Sequence, residues 1–235
     1  MIIRQFSERL SYLTAKYILF FILLLSALVQ CGADDTLKNA IRDDYPYIRA
    51  LYTHLHRHPE LSLHEQETAK RLAKELREAG FEVTERVGGY GLVGLMRNGE
   101  GPTVMIRTDM DALPVKEKTG LPYASTQQYH EDGKTLPLMH ACGHDVHMSV
   151  FTGTARRMVG MKKRWSGTLM MIAEPAEEVG AGALLMLDGG LFERFPRPDY
   201  NLALHVHPEL PGGSVGITSG YSFANVDSVD ITVYG

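Results

Sequence analysis

Apolar positions step by three and four through residues 34–61, at Ile41, Tyr45, Ile48, Leu51 and Leu55, which predicts an amphipathic helix stopped by Pro59. A second helix is expected over 62–79, with Ala69, Leu72, Ala73, Leu76 and Ala79 on its inner face. Ser62 stands as its cap, Glu65 falls three residues on in capping-box position, and Gly80 ends it. The period then changes. Residues 81–87 and 92–97 read as strands, and Asn98-Gly99 turns the chain into a third over 103–108. Helical spacing returns over 146–159, and 168–173 is a wholly apolar run suited to a strand covered on both faces. Residues 182–187 suit a short helix, and 201–206 another buried strand.

This alternation predicts an α/β fold, a largely parallel sheet flanked by helices, over residues 34–223. A Gly/Ser/Pro-rich link over 211–220 leads to 226–234, where apolar and polar residues alternate, so a second unit is expected over 224–235. With 235 residues and 44% apolar content, the chain can bury a sizeable core. Its net charge of −4, with both signs interspersed, provides no basic stripe and sets nucleic acid aside as a partner.

Residues 1–33 read differently. Arg4, Arg9 and Lys16 precede an apolar run over 17–29, followed by small and polar residues, the pattern of a secretory signal peptide. As a helix that run rises only about 20 Å, short of a hydrocarbon core of roughly 30 Å. The expected location is secreted or periplasmic. Ala27-Leu28-Val29-Gln30-Cys31 loosely resembles a lipoprotein cleavage site, although Gln30 stands where that pattern wants a small residue, so a lipid anchor is the alternative.

The chemistry concentrates in residues 139–147, where Cys142, His140, His144, His147 and Asp145 suit a borderline-soft divalent ion. Cys31 and Cys142 are the two cysteines, and cleavage after Ala33 leaves Cys142 as either a metal ligand or a buried, inert thiol. In an open α/β sheet functional groups gather at the carboxyl ends of strands. Asp109 and Asp111 follow one strand, Glu174, Glu177 and Glu178 another, and His205 and His207 a third. Glu177 and Glu178 are either a metal ligand beside a proton acceptor or two solvated charges at a helix start.

The segments at 56–62, 107–114, 139–147, 174–178 and 204–206 together carry a resemblance. The chain from about residue 47 onward resembles the hippurate hydrolase and auxin-conjugate hydrolase branch of the aminoacylase/carboxypeptidase superfamily of metal-dependent amidohydrolases, peptidase family M20. The resemblance implies two divalent metal ions (Zn, Mn, Co or Ni) held by Cys142, His144, Glu178 and His205. It implies Glu177 as general acid/base, Asp109 and Asp111 orienting the ligands, and a small N-acyl amino acid as substrate, cleaved at its amide. It also implies a catalytic domain that is incomplete here and the first strand of a smaller α+β lid or dimerisation domain, with homodimers belonging to a full-length form. In the family a late His completes the ligand set and the lid supplies another, so weak metal binding and doubtful activity are expected of this chain. Glu174 replaces a usual Gln, which implies a slightly more acidic site. His54, His56, His58 and His64 are expected on the surface or in helix packing, whereas His140, His147 and His207 flank ligand positions and either hydrogen-bond to them or simply pack. Two rival readings remain open: a cysteine hydrolase built on Cys142 and His144, and a non-catalytic secreted fragment that binds metal or a partner.

Overall fold

The computed structural model describes residues 35–131, 133–220, 229 and 231–234. The expected leader over 1–33 and most of the expected strand over 226–234 lie outside the described residues; Val229 and 231–234 carry no strand assignment. Among the described residues no helix is long and apolar enough to cross a membrane. Contacts divide the chain into a unit ending at His205 and a second beginning at Val206.

In the first unit, helices α1 (35–57) and α2 (Gln66–Glu78) precede strands β1 (Glu82–Glu85), β2 (Leu92–Asn98) and β3 (Thr103–Asp109). A hairpin follows, β4 (Gln128–Glu131) and β5 (Lys134–Pro137), then α3 (His144–Gly160), β6 (Gly167–Glu174), α4 (Gly182–Asp188), α5 (Leu191–Arg194) and β7 (Tyr200–Ala203). The sheet order is β1-β2-β6-β3-β7. β6, β3 and β7 are parallel, and β2 runs antiparallel to both β1 and β6. Only β2 is therefore reversed, so the expected parallel direction holds for four strands while two of the four pairings are antiparallel.

Alternation along the central strands divides the core. Leu92, Met96, Leu169, Met171 and Ala173 face one side, where they pack with Leu51 and Leu55 of α1, Leu72 and Leu76 of α2, and Met148 and Phe151 of α3. Val93, Leu95, Met105, Met170 and Ile172 face the other, against Met186 of α4 and Leu191 of α5. Each of these Val, Leu, Ile, Phe and Met side chains contributes about 1.5–3 kcal/mol when removed from water. This two-sided cover explains why β6 reads as an unbroken apolar run.

Three expectations need correction, and one element was not foreseen. The first helix buries only its C-terminal half; Ile41 and Tyr45 are exposed. Its outer turns are tied by polar contacts instead, with Asp44 bridging Arg156 and Arg157, and Tyr47 Oη donating to Glu75. The second helix begins at Gln66 rather than beside Ser62. Its free amides at Glu67 and Thr68 donate to the Glu60 carboxylate, at 3.1 and 2.7 Å, which leaves Ser62 and Glu65 for other partners. β7 is an exposed edge strand, not a buried one, because it pairs with β3 alone. The β4–β5 hairpin was not expected, although Asp132-Gly133 is a common two-residue hairpin signal.

Candidate metal centre

Three parallel strands deliver their carboxyl ends to one edge of the sheet. The register sets Asp109 of β3 opposite Glu174 of β6, and Arg107 opposite Ala203 of β7, two residues before His205. A fourth contribution comes from the start of α3. Gly143, at φ +84°, turns the chain between Cys142 and the first helical residue, His144, in a conformation costly for a residue with a Cβ. His147 lies one turn on and shares the face of His144, whereas Asp145 turns toward α1.

Ligand-type atoms gather in three overlapping groups: Asp109, His144, His147 and His205; Cys142, His144 and Glu178; and Asp111, His144 and Glu177. Within each group the atoms lie within 4.8 Å of one another. All four expected ligands are thus brought together, Cys142 Sγ lying 3.4 Å from His205 Nε2. Glu177 Oε2 stands 3.6 Å and Glu178 Oε1 3.8 Å from His144 Nε2. Sequence reasoning left His147 undecided because it started the helix at 146; a start at 144 places both imidazoles on one face.

His144 shows why a cation fits. Its Nδ1 lies 2.8 Å from the carbonyl oxygen of Asp111 and donates to it, which turns Nε2 toward the cluster. His144 Nε2, Glu178 Oε1 and Asp111 Oδ1 are buried and make no hydrogen bond among the described residues. Buried polar atoms without partners are costly, and a divalent ion would satisfy them.

Around these atoms hydrogen bonds hold the frame. Asp109 Oδ1 accepts from His147 Nδ1 at 2.7 Å, and Oδ2 accepts from Arg107 at 3.0 Å. Burial alone would raise the Asp109 pKa, but His147, His144 and Arg107 hold it at about 2. Burial would likewise lower that of His144, yet Asp111 and Asp109 raise it to about 9. Burial, then Glu178 and Glu177, pushes the Cys142 thiol up to about 12. Glu174 accepts from Arg107 Nε at 2.8 Å, so the Glu at this position shares one guanidinium with Asp109.

The flanking histidines divide. His56 is buried, with Nδ1 2.6 Å from Asp145 Oδ2 and Nε2 3.1 Å from Glu117 Oε1, so it is a packing residue in an ion-paired triad outside the cluster. His140 is buried without a hydrogen bond on either ring nitrogen among the described residues, and burial lowers its pKa to about 4. His207, in the second unit, accepts from the amide of Glu209.

Residues 105–234 match the sequence profile of Peptidase family M20/M25/M40. The chain is 37% identical over 205 residues to thermostable carboxypeptidase 1 of Saccharolobus solfataricus, which covers 86% of this chain and 49% of that protein. It is 36% identical over 183 residues to N-acetyl-L-cysteine deacetylase of Bacillus subtilis, covering 77% of this chain and 41% of the relative. Among solved structures it resembles a dinuclear metal binding peptidase of the M20 family from Bacillus subtilis, with a TM-score of 0.64 at 33% identity, over 72% of this chain and 45% of the other. The chain spans about half the length of the curated relatives it matches.

Proposed function

This chain belongs to peptidase family M20/M25/M40, and on that premise we propose that it serves the metal-dependent hydrolysis of the amide bond of N-acyl amino acids, in the hippurate and auxin-conjugate hydrolase branch. The observation that carries the reading is that His144 Nε2, Glu178 Oε1 and Asp111 Oδ1, three buried atoms without a hydrogen bond among the described residues, belong to overlapping groups of ligand-type side chains that include a thiol. Cys142, His144, Glu178 and His205 would hold two divalent ions. His147 and Asp109, grouped with two of them, are further donors.

Bound divalent ions would lower the pKa of water toward about 7 and polarise the scissile carbonyl. Glu177 is the more exposed of the adjacent pair, its side chain 37% accessible against 15% for Glu178. It takes the proton from the attacking water and returns it to the leaving amine. Asp111 orients the ligands: Oδ2 accepts from the amide of Glu178 at 3.0 Å, and its carbonyl fixes the His144 tautomer. N-acyl amino acids are favoured as the substrate class by likeness to a deacetylase of an N-acetylated amino acid.

A cysteine hydrolase would find an imidazole beside its thiol, since His205 lies 3.4 Å from Cys142. Yet burial, and after it Glu178 and Glu177, opposes a free thiolate, and the same carboxylates favour a cation. Release of the amino acid from N-acetylcysteine and hippurate, measured with and without chelator, tests the reading. Activity that survives chelation and disappears on thiol alkylation in saturating metal would replace it with the cysteine route. Full cation binding without turnover by either substrate would leave the non-catalytic alternative. We further assign residues 1–33 to an export leader, to be checked by the mass of the mature N-terminus, and dimerisation to a full-length form, to be checked by sedimentation.

A further inference from the structure

We propose that Glu65 is a positioning residue for Glu177 and Glu178, acting through one carboxylate oxygen that holds two left-handed backbone residues in place. The inference rests on the reaction proposed above for those two carboxylates. Residues 56–62 were singled out by the sequence, yet none of them lies in the metal cluster. What this segment and the residues after it touch is the backbone around the cluster. The Glu60 carbonyl accepts from the amide of Ala112 at 2.8 Å, Leu61 bridges Ala112, and Ser62 Oγ donates to Asp111 Oδ2 at 2.6 Å.

Glu65 completes this grip on the other side. It is fully buried at the N-terminus of α2, and Oε1 accepts from the amide of Leu63 at 2.9 Å and from that of Ala176 at 2.7 Å. Among the described residues three non-glycine positions have positive φ: Leu63 at 68°, Arg86 at 64° and Ala176 at 50°. Two of the three are therefore held by a single oxygen of Glu65. Such backbone persists where its surroundings over-determine it, and it concentrates at functional sites.

Ala176 directly precedes Glu177. The turn it starts is closed by Ala181 and Gly182, whose amides donate to the Ala176 carbonyl at 3.1 and 3.2 Å. A Cβ on Gly182 would sit 1.7 Å from the carbonyl oxygen of Pro175, so the two ends of this loop pack backbone against backbone. The left-handed turn at Ala176 sets where Glu177 and Glu178 leave the backbone. Letting it relax would shift both carboxylates with respect to His144. Glu65 makes no contact with the reacting atoms, so its effect is expected on turnover rather than on substrate binding.

Two variants of the full chain separate reach from charge. Glu65→Gln keeps an acceptor oxygen at the same distance, whereas Glu65→Asp keeps the charge and withdraws the oxygen by one methylene. The Gln variant should retain kcat within about threefold. The Asp variant should lose about 100-fold in kcat with KM unchanged, the scale of a 1 Å misplacement. Equal activity in the Asp variant, an equal loss in both, or a Gln variant that fails to fold would overturn the proposal. A wild-type chain without hydrolysis in saturating divalent metal would instead count against the proposed reaction. In that event a crystal structure of the Asp variant decides: Ala176 should leave φ near +50°, and an unchanged turn overturns the positioning role.

Discussion

β6 and β7 are both read from sequence as buried strands that end in ligand-type residues, yet they are held in opposite ways. β6 is covered on both faces, and its outgoing turn is tied by Glu65 and Asp111. β7 is exposed along its length and pairs only with β3. Donors supplied by β3, β6 and α3 are thus pre-oriented by packing and hydrogen bonds, while His205 follows an exposed strand and meets the cluster through Cys142 and the rings of His144 and His147. Apolar composition announces a strand; it does not say how many layers lie over it.

The largest effect should come from the β6 side. Glu177→Gln is expected to lower kcat by about 10²–10⁴-fold, the worth of a positioned proton acceptor, while metal content by plasma emission stays at the wild-type value. A variant that turns over normally would remove Glu177 from the chemistry. The contrast between sides is sharpened by metal affinity. His144 belongs to all three candidate groups and His205 to one, so His144→Ala should lose more than the ~10–100-fold typical of an outer partner, and His205→Ala less than His144→Ala. Competition with a chromophoric chelator measures both, and the reverse order would break the comparison.

Stability should show the same asymmetry. Met170→Ala, at a fully buried position of β6, is expected to cost about 2–5 kcal/mol in urea unfolding. Leu202→Ala on β7, where the side chain is exposed, should stay within about 0.5 kcal/mol. Comparable losses would mean that β7 is buried in solution.

A further effect is pH-dependent and belongs to the metal-free protein. Asp109 has its pKa depressed from 3.8 to about 2 in the folded chain. Its contribution is therefore complete above the unfolded value and is lost as pH falls through the folded one, roughly from pH 4 to pH 2. On the usual conversion this amounts to about 2 kcal/mol. Asp109→Asn should flatten that acid limb in denaturation at pH 2, 3 and 5, and an unchanged limb would show that other carboxylates carry it.

Much of the site was legible because its chemistry is local in sequence. Cys142 and His144 flank one glycine, Glu177 and Glu178 are adjacent, and each of Asp109, Glu174 and His205 lies at or just beyond a strand end. What escaped depended on partners far along the chain. His56 looked like one of several helix histidines, but its Asp145 partner is 89 positions away. Ser62 and Glu65 satisfied a capping pattern, yet Glu60 takes the helix amides and frees both for the metal loops. The charge of Glu174 could be weighed only once Arg107 was seen beside it.

By itself the sequence determined the α/β order, the strand ends that carry donors and the residue types able to bind a divalent ion, since periodicity and side-chain chemistry are properties of short segments. Tertiary structure alone decided the insertion of β6 between β2 and β3, the exposure of β7, the inclusion of His147 and the grip of Glu65 on Ala176. Those outcomes follow from which surfaces meet when the layers pack, and no window along the chain contains both surfaces.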